Sequence, residues 1–177
     1  MPNDPNAPKH APSDEHEVDL EEYAARGEPP PPARTYVIRV DDERYRVNAL
    51  SMTGRDLLTL AKKQPPEAYT VDQILHGGER RVVCPDQKVD LTAPGVERFA
   101  TRSGVTFFID QEEVFAPTSV LTVREILTSY AKADATQTTL VELRGTEQIK
   151  HPNLDERVTI TCCERFVVFH NSATSVS

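Results

Sequence analysis

The chain has 177 residues, with 28 acidic against 20 basic side chains and a net charge of −8. That surplus argues against nucleic acid or an anionic membrane as the main partner, since both select a basic face. No apolar run reaches the roughly 18 residues of a spanning helix, and the N-terminus lacks the apolar core of a signal peptide, so a soluble, cytoplasmic protein is expected.

Residues 1–34 stand apart in composition. They hold 8 of the 14 prolines, including the run Pro29 to Pro32, and eight acids against three bases (Lys9, Arg26, Arg34). Such a segment buries too little apolar surface to offset its ordering entropy, which predicts a disordered acidic, Pro-rich arm over 1–34. Within it, residues 14–26 begin with an Asp/Glu capping box, and Val18, Leu20, Tyr23 and Ala24 fall on or near one helical face. Two readings stand: a solvated arm with transient helix, or a docking segment led by Val18, Leu20 and Tyr23 that folds on a partner or on another copy.

From Thr35 the pattern becomes that of a folded unit. Residues 36–40 alternate as a strand, 41–43 turn and 44–47 return, giving a hairpin. Thr53-Gly54-Arg55-Asp56-Leu57-Leu58 then carries a helix start. The Thr53 hydroxyl can accept from a first-turn amide, and Asp56 can reach back to the Thr53 amide. Leu57, Leu58 and Ala61 place apolar groups one turn apart. Lys62 and Lys63 favour the C-terminal end, and Pro65-Pro66 stops the helix. Strands are expected at 69–75, 81–84, 88–92 and 96–101, with His76-Gly77-Gly78 as a turn.

The order then repeats. Thr122-Val123-Arg124-Glu125-Ile126-Leu127-Thr128 lies 69 residues after residues 53–59. Tyr36, Ile38, Val40 and Asp41 match Val105, Phe107, Ile109 and Asp110, while Glu97-Arg98-Phe99 returns as Glu164-Arg165-Phe166. The register holds through the helix without a gap, which identifies a tandem duplication. Strands are expected at 105–109, 114–117, 139–143, 157–161 and 165–169. The units are 35–102 and 104–169, with 170–177 a flexible tail. Hairpin, helix and further strands in some 65 residues give an α+β fold of two tandem β-grasp domains.

Each unit resembles ubiquitin in element order, down to Pro65-Pro66 after the helix. Both are similar to the bacterial multiubiquitin domain family: a strand ending in Asp (Asp41, Asp110), a helix opening Thr-Gly-Arg-(Asp/Glu)-(Ile/Leu)-Leu, and a terminal Glu-Arg-Phe strand. The resemblance covers 35–169. It implies a ubiquitin-like modifier of a bacterial conjugation pathway connected with phage defence. The implied partners are a ubiquitin-activating-like enzyme, a ubiquitin-conjugating-like enzyme and a processing peptidase.

A modifier attaches through its C-terminal carboxylate and needs a tail of small residues that can thread an active site. Ubiquitin ends in two glycines; here the last strand runs into Phe169-His170-Asn171-Ser172 and then Ala173-Thr174-Ser175-Val176-Ser177. Phe169, His170, Asn171 and Ser172 are the candidate processing and conjugation tail, cut from a precursor, or else an ordinary frayed terminus that is never conjugated. The alternative function is a noncovalent adaptor or self-assembling scaffold that uses sheet faces and strand edges.

No catalytic, cofactor or metal site is expected. His10, His16, His76, His151 and His170 have neither metal-ligand spacing nor a nucleophile motif, and the acid pairs at 41–42 and 112–113 lie in hairpin turns. Cys84, Cys162 and Cys163 form neither a CxxC pair nor a disulfide-scaffold pattern. On a strand, Cys162 and Cys163 would point to opposite faces, one into the core and one exposed.

Overall fold

The computed structural model describes residues 17–171. It opens with a short strand, β1 (Glu17–Asp19), and a helix, α1 (Leu20–Arg26). The hairpin is β2 (Thr35–Val40) and β3 (Glu43–Val47). β4 (Ser51–Thr53) leads straight into α2 (Gly54–Leu60). β5 (Tyr69–Leu75), β6 (Arg80–Val83), β7 (Lys88–Asp90) and β8 (Val96–Ser103) complete the first half. The second half repeats this order with β9 (Val105–Ile109), β10 (Glu112–Ala116) and β11 (Val120–Thr122). Its helix is α3 (Val123–Glu125), continued by a π-helical turn (Ile126–Tyr130). β12 (Thr138–Arg144), β13 (Glu147–His151), β14 (Arg157–Thr159) and β15 (Arg165–His170) follow.

The class is α+β. In each half the hairpin's first strand lies parallel to the last strand: β2 meets β8 at Val40 and Phe99, and β9 meets β15 at Ile109 and Phe166. The third long strand pairs antiparallel with that last strand and carries the edge strand, β6 or β13. Side chains alternate across a strand, so each sheet turns one apolar face to its helix. Tyr36, Ile38, Leu57 and Phe99 fill the first core; Phe107, Ile126, Leu127 and Phe166 fill the second. In the second, Phe107 meets Phe166 and Tyr130 edge-on, at 5.9 and 5.7 Å between ring centroids.

Both capping boxes form. The Asp56 amide donates to Thr53 Oγ1 at 3.1 Å, and the Thr53 amide to Asp56 Oδ2 at 2.9 Å. Glu125 and Thr122 repeat the exchange at 3.2 and 2.7 Å. These bonds from threonine hold both carboxyls below their ordinary range. The remaining first-turn amides donate to a crossing loop: Gly54 to the Gln87 carbonyl and Arg55 to that of Pro85, as Val123 does to Glu156 and Arg124 to Leu154. A Cβ on Gly54 would come within 2.6 Å of the Cys84 carbonyl, so this crossing requires glycine.

Six expectations change. The register is not gapless: the residue closing each helix in left-handed conformation is Lys62 (φ 56°) in one half and Lys132 (φ 55°) in the other, 70 positions apart. The π-helical turn absorbs the extra residue, and the following loop returns it. Lys62 also ends α2 before Pro65-Pro66 is reached. Residues 17–34 are not part of a disordered arm, because β1 pairs in parallel with the start of β2 (Glu17 with Thr35, Asp19 with Val37) and so satisfies its backbone in an existing sheet. The helix expected over 14–26 is shorter, starting at Leu20 with Asp19 as its cap; residues 1–16 lie outside the described residues. Cys162 and Cys163 sit in a turn rather than a strand, and Cys163 forms a disulfide with Cys84. Finally, β15 extends to His170, so the expected tail loses its first residues to the sheet.

Thr53→Ala is expected to lower the unfolding free energy by about 1 kcal/mol, the usual worth of an N-cap hydroxyl, while Thr53→Ser retains most of it. Urea denaturation reads the difference.

Candidate functional site

The C-terminal end is held to the sheet through Asn171. Phe169 and His170 pair with Thr139 and Thr138 on β12. Beyond them, the Asn171 amide donates to the Gln137 carbonyl at 2.8 Å, and Thr139 Oγ1 donates to Asn171 Oδ1 at 2.8 Å. Phe169 turns away from the core and is 49 % exposed. It shares a groove with Thr139, Val141, Gln148 and Lys150. Of the four predicted tail residues, Phe169, His170 and Asn171 are therefore fixed; Ser172 lies outside the described residues.

The predicted docking segment is docked on its own chain. Val18 and Leu20 are 1 % and 2 % exposed in the first core, and Tyr23 packs against it. Arg26 stacks 4.3 Å over the Tyr23 ring. Its acids meet the outward arginines of the hairpin: Glu17 with Arg46 at 2.7 Å, Asp19 with Arg44 at 3.2 Å, and Glu21 with Arg39 at 2.8 Å. The acidic character that favoured a solvated arm is thus neutralised by a basic face of β2 and β3.

Sequence reasoning missed the junction between the halves. β8 passes into β9 through Gly104 alone, whose amide donates to the Ala68 carbonyl at 2.8 Å. Thr70 Oγ1 donates to the Gly104 carbonyl at 3.1 Å and accepts from the Thr106 amide at 3.0 Å. Asp72, 1 % exposed, takes Arg102 in two bonds of 2.6 and 3.2 Å. Arg102 continues over the Phe115 ring at 4.4 Å. Arg80 bridges Asp72 and Glu113. Beside these groups the Cys84–Cys163 bond spans the halves with 5.5 Å between Cα atoms. The third cysteine, Cys162, is buried against Thr70, and burial pushes its thiol up, away from the reactive thiolate. Thr70, Asp72 and Arg102 all face outward from their sheet, where sequence pattern reads only a solvated face.

One cluster of acid–base groups lies inside the second half. His151 Nδ1 is 3.1 Å from Glu156 and its Nε2 is 3.4 Å from Glu142, which also takes Arg144 at 2.6 Å. Glu164 lies near Glu142; burial holds its carboxyl above the usual range, against a hydrogen bond from the Thr161 amide. Glu142 and His151 are buried and already partnered, so this arrangement pins β12 to β13 and the loop after it.

A helix laid across a mixed sheet whose first and last strands run parallel is the arrangement of a ubiquitin-like fold. The multiubiquitin family model matches residues 36–104, the first of the two repeated halves. No curated protein matches the chain. Among the described residues, no helix is long and apolar enough to cross a membrane.

Leu20→Ala is expected to destabilise the first half by between about 2 and about 5 kcal/mol, the cost of a cavity, whereas a solvated side chain would leave stability unchanged. Gly104→Ala should cost at least about 2 kcal/mol, because φ there is 115° and a Cβ would overlap the Ala116 carbonyl and the Phe115 ring. Chemical denaturation of each variant measures both.

Proposed function

We propose that the chain is a modifier built of two tandem ubiquitin-like β-grasp domains, cut from a precursor, activated at its new C-terminus and transferred to a target protein. The observation that carries this reading is the multiubiquitin match, joined to a last strand whose end is held as far as Asn171 and followed by small polar residues. A peptidase needs an extended, accessible chain, and a peptide bond within β15 is paired on the sheet. The cut therefore belongs at or just beyond Asn171, rather than at His170. The activating enzyme then adenylates the exposed carboxylate, and the conjugating enzyme carries it as a thioester to an amine. The partners are a ubiquitin-activating-like enzyme, a ubiquitin-conjugating-like enzyme and a processing peptidase, with phage defence as the setting. We place this work in the cytoplasm of a bacterium. In that compartment Cys84 and Cys163 would rest as thiols and close their bond on oxidation.

Intact-mass spectrometry of the chain, co-expressed with those three enzymes, tests the proposal. The expected result is a loss matching removal of the residues after Asn171, together with heavier species linked through the new end. An intact Ser177 and no heavier species, with all three enzymes demonstrably active, would refute it.

A further inference from the structure

Both sides of the internal junction occur a second time. Cross-strand register identifies the counterparts. On the acceptor side, Arg102 stands opposite Thr70 as Phe169 stands opposite Thr139, and Arg80 stands opposite Ile74 as Gln148 stands opposite Leu143. On the hairpin side, Phe115 stands opposite Thr106 as Arg46 stands opposite Val37, and Glu113 stands opposite Phe108 as Arg44 stands opposite Arg39.

The two spare surfaces complement each other. Inside the chain, an acceptor Arg102 covers a hairpin Phe115. Between the spare surfaces, an acceptor Phe169 would meet a hairpin Arg46: the same cation–π pair with its partners exchanged. The Arg80–Glu113 contact becomes Gln148 with Arg44, an amide oxygen accepting from a guanidinium. Asp72, which pairs two arginines of its own sheet, is replaced by Val141 on a face that carries neither of them. The latch at the strand end is also duplicated: Asn171 amide to Gln137 carbonyl stands for Gly104 amide to Ala68 carbonyl, both at 2.8 Å.

Each surface carries an exposed side chain among the described residues, above a buried Val141 on the acceptor side. Phe169 is 49 % exposed. The Arg46 side chain is 73 % exposed, on the wall of a groove of about 620 Å³ lined also by Val37 and Tyr23, which has room for a phenyl ring. Glu17, beside Arg46, supplies negative charge for Lys150 on the acceptor face.

We propose that the outward face of β12, β13 and β15 receives the β2–β3 hairpin of a second copy of this chain, with Phe169 seated against Arg46. This goes beyond the modifier reading and does not depend on it. The two surfaces lie on different halves, so the contact is heterologous and each added copy leaves one of each free.

Sedimentation velocity of the full chain from about 1 µM to about 1 mM tests this. The expected result is stepwise growth past the dimer. Phe169→Ala and Arg46→Ala should each weaken association at least about tenfold. Mixing the two variants should give a one-to-one complex and nothing larger, since each keeps one competent surface. Arg46→Phe combined with Phe169→Arg, which recreates the internal pairing, should restore growth. All these positions are exposed, and circular dichroism confirms that each variant is folded. A chain that stays monomeric throughout overturns the proposal. So does assembly indifferent to both substitutions, or a closed dimer lost in Phe169→Ala but intact in Arg46→Ala.

Discussion

Asp72 is a carboxylate that folding has removed from water, and a buried charge persists only when it is paired and hydrogen-bonded. Arg102 answers it in two bonds, Arg80 joins from the edge strand, and Arg102 in turn lies across Phe115 of the other half. The relative placement of the two sheets follows from this set. Thr70 and Gly104 bring the backbones together beside it, where a larger residue than glycine would not fit. Had Asp72 stayed in solvent, a link of a single residue would still have limited the angles between the halves. Buried, it also fixes which face of the first sheet meets which hairpin of the second.

What the sequence disclosed was what local chemistry decides. Two Thr–acid pairs specify where helices start, alternation specifies strands, and their recurrence specifies the duplication. What stayed hidden depended on neighbours distant in the chain. Composition made Glu17, Asp19 and Glu21 look solvated, yet Arg39, Arg44 and Arg46, 18 to 29 residues further along the chain, neutralise them. The inserted residue in the second helix left the apolar positions matched on either side, so only the π-helical turn reveals it. Cys84 and Cys163 are 79 residues apart and carry no spacing signal. The candidate tail was read two residues too early because β12 extends further back than its apolar stretch, to Thr138, and draws His170 into the sheet.

The two functional readings converge on the same few residues. Conjugation as proposed would use the chain just past Asn171, and assembly would use Phe169, two positions earlier. A copy seated there would stand close to the segment that an activating enzyme must thread. Assembly and transfer would then be alternatives for any one molecule, and an assembled array would hold modifiers in reserve. In this arrangement the N-terminal segment does more than fill a gap in the first core, because its acids orient the arginines that an incoming acceptor face would meet.

The bond between Cys84 and Cys163 has a mechanical consequence. Once it is closed, a pull on the two ends of the chain travels through the sulfur bridge and bypasses everything between those positions, including α3 and the strands of the second core from β9 to β14. A motor that unravels proteins by threading them from the N-terminal side would draw out β1 to β6 and then meet a closed loop, β7 and β8 included, that can pass only as a doubled chain. With the bridge open, the same motor would meet an ordinary single strand throughout. The redox state of two side chains would thus decide whether such a machine can process the whole molecule or stalls halfway along it.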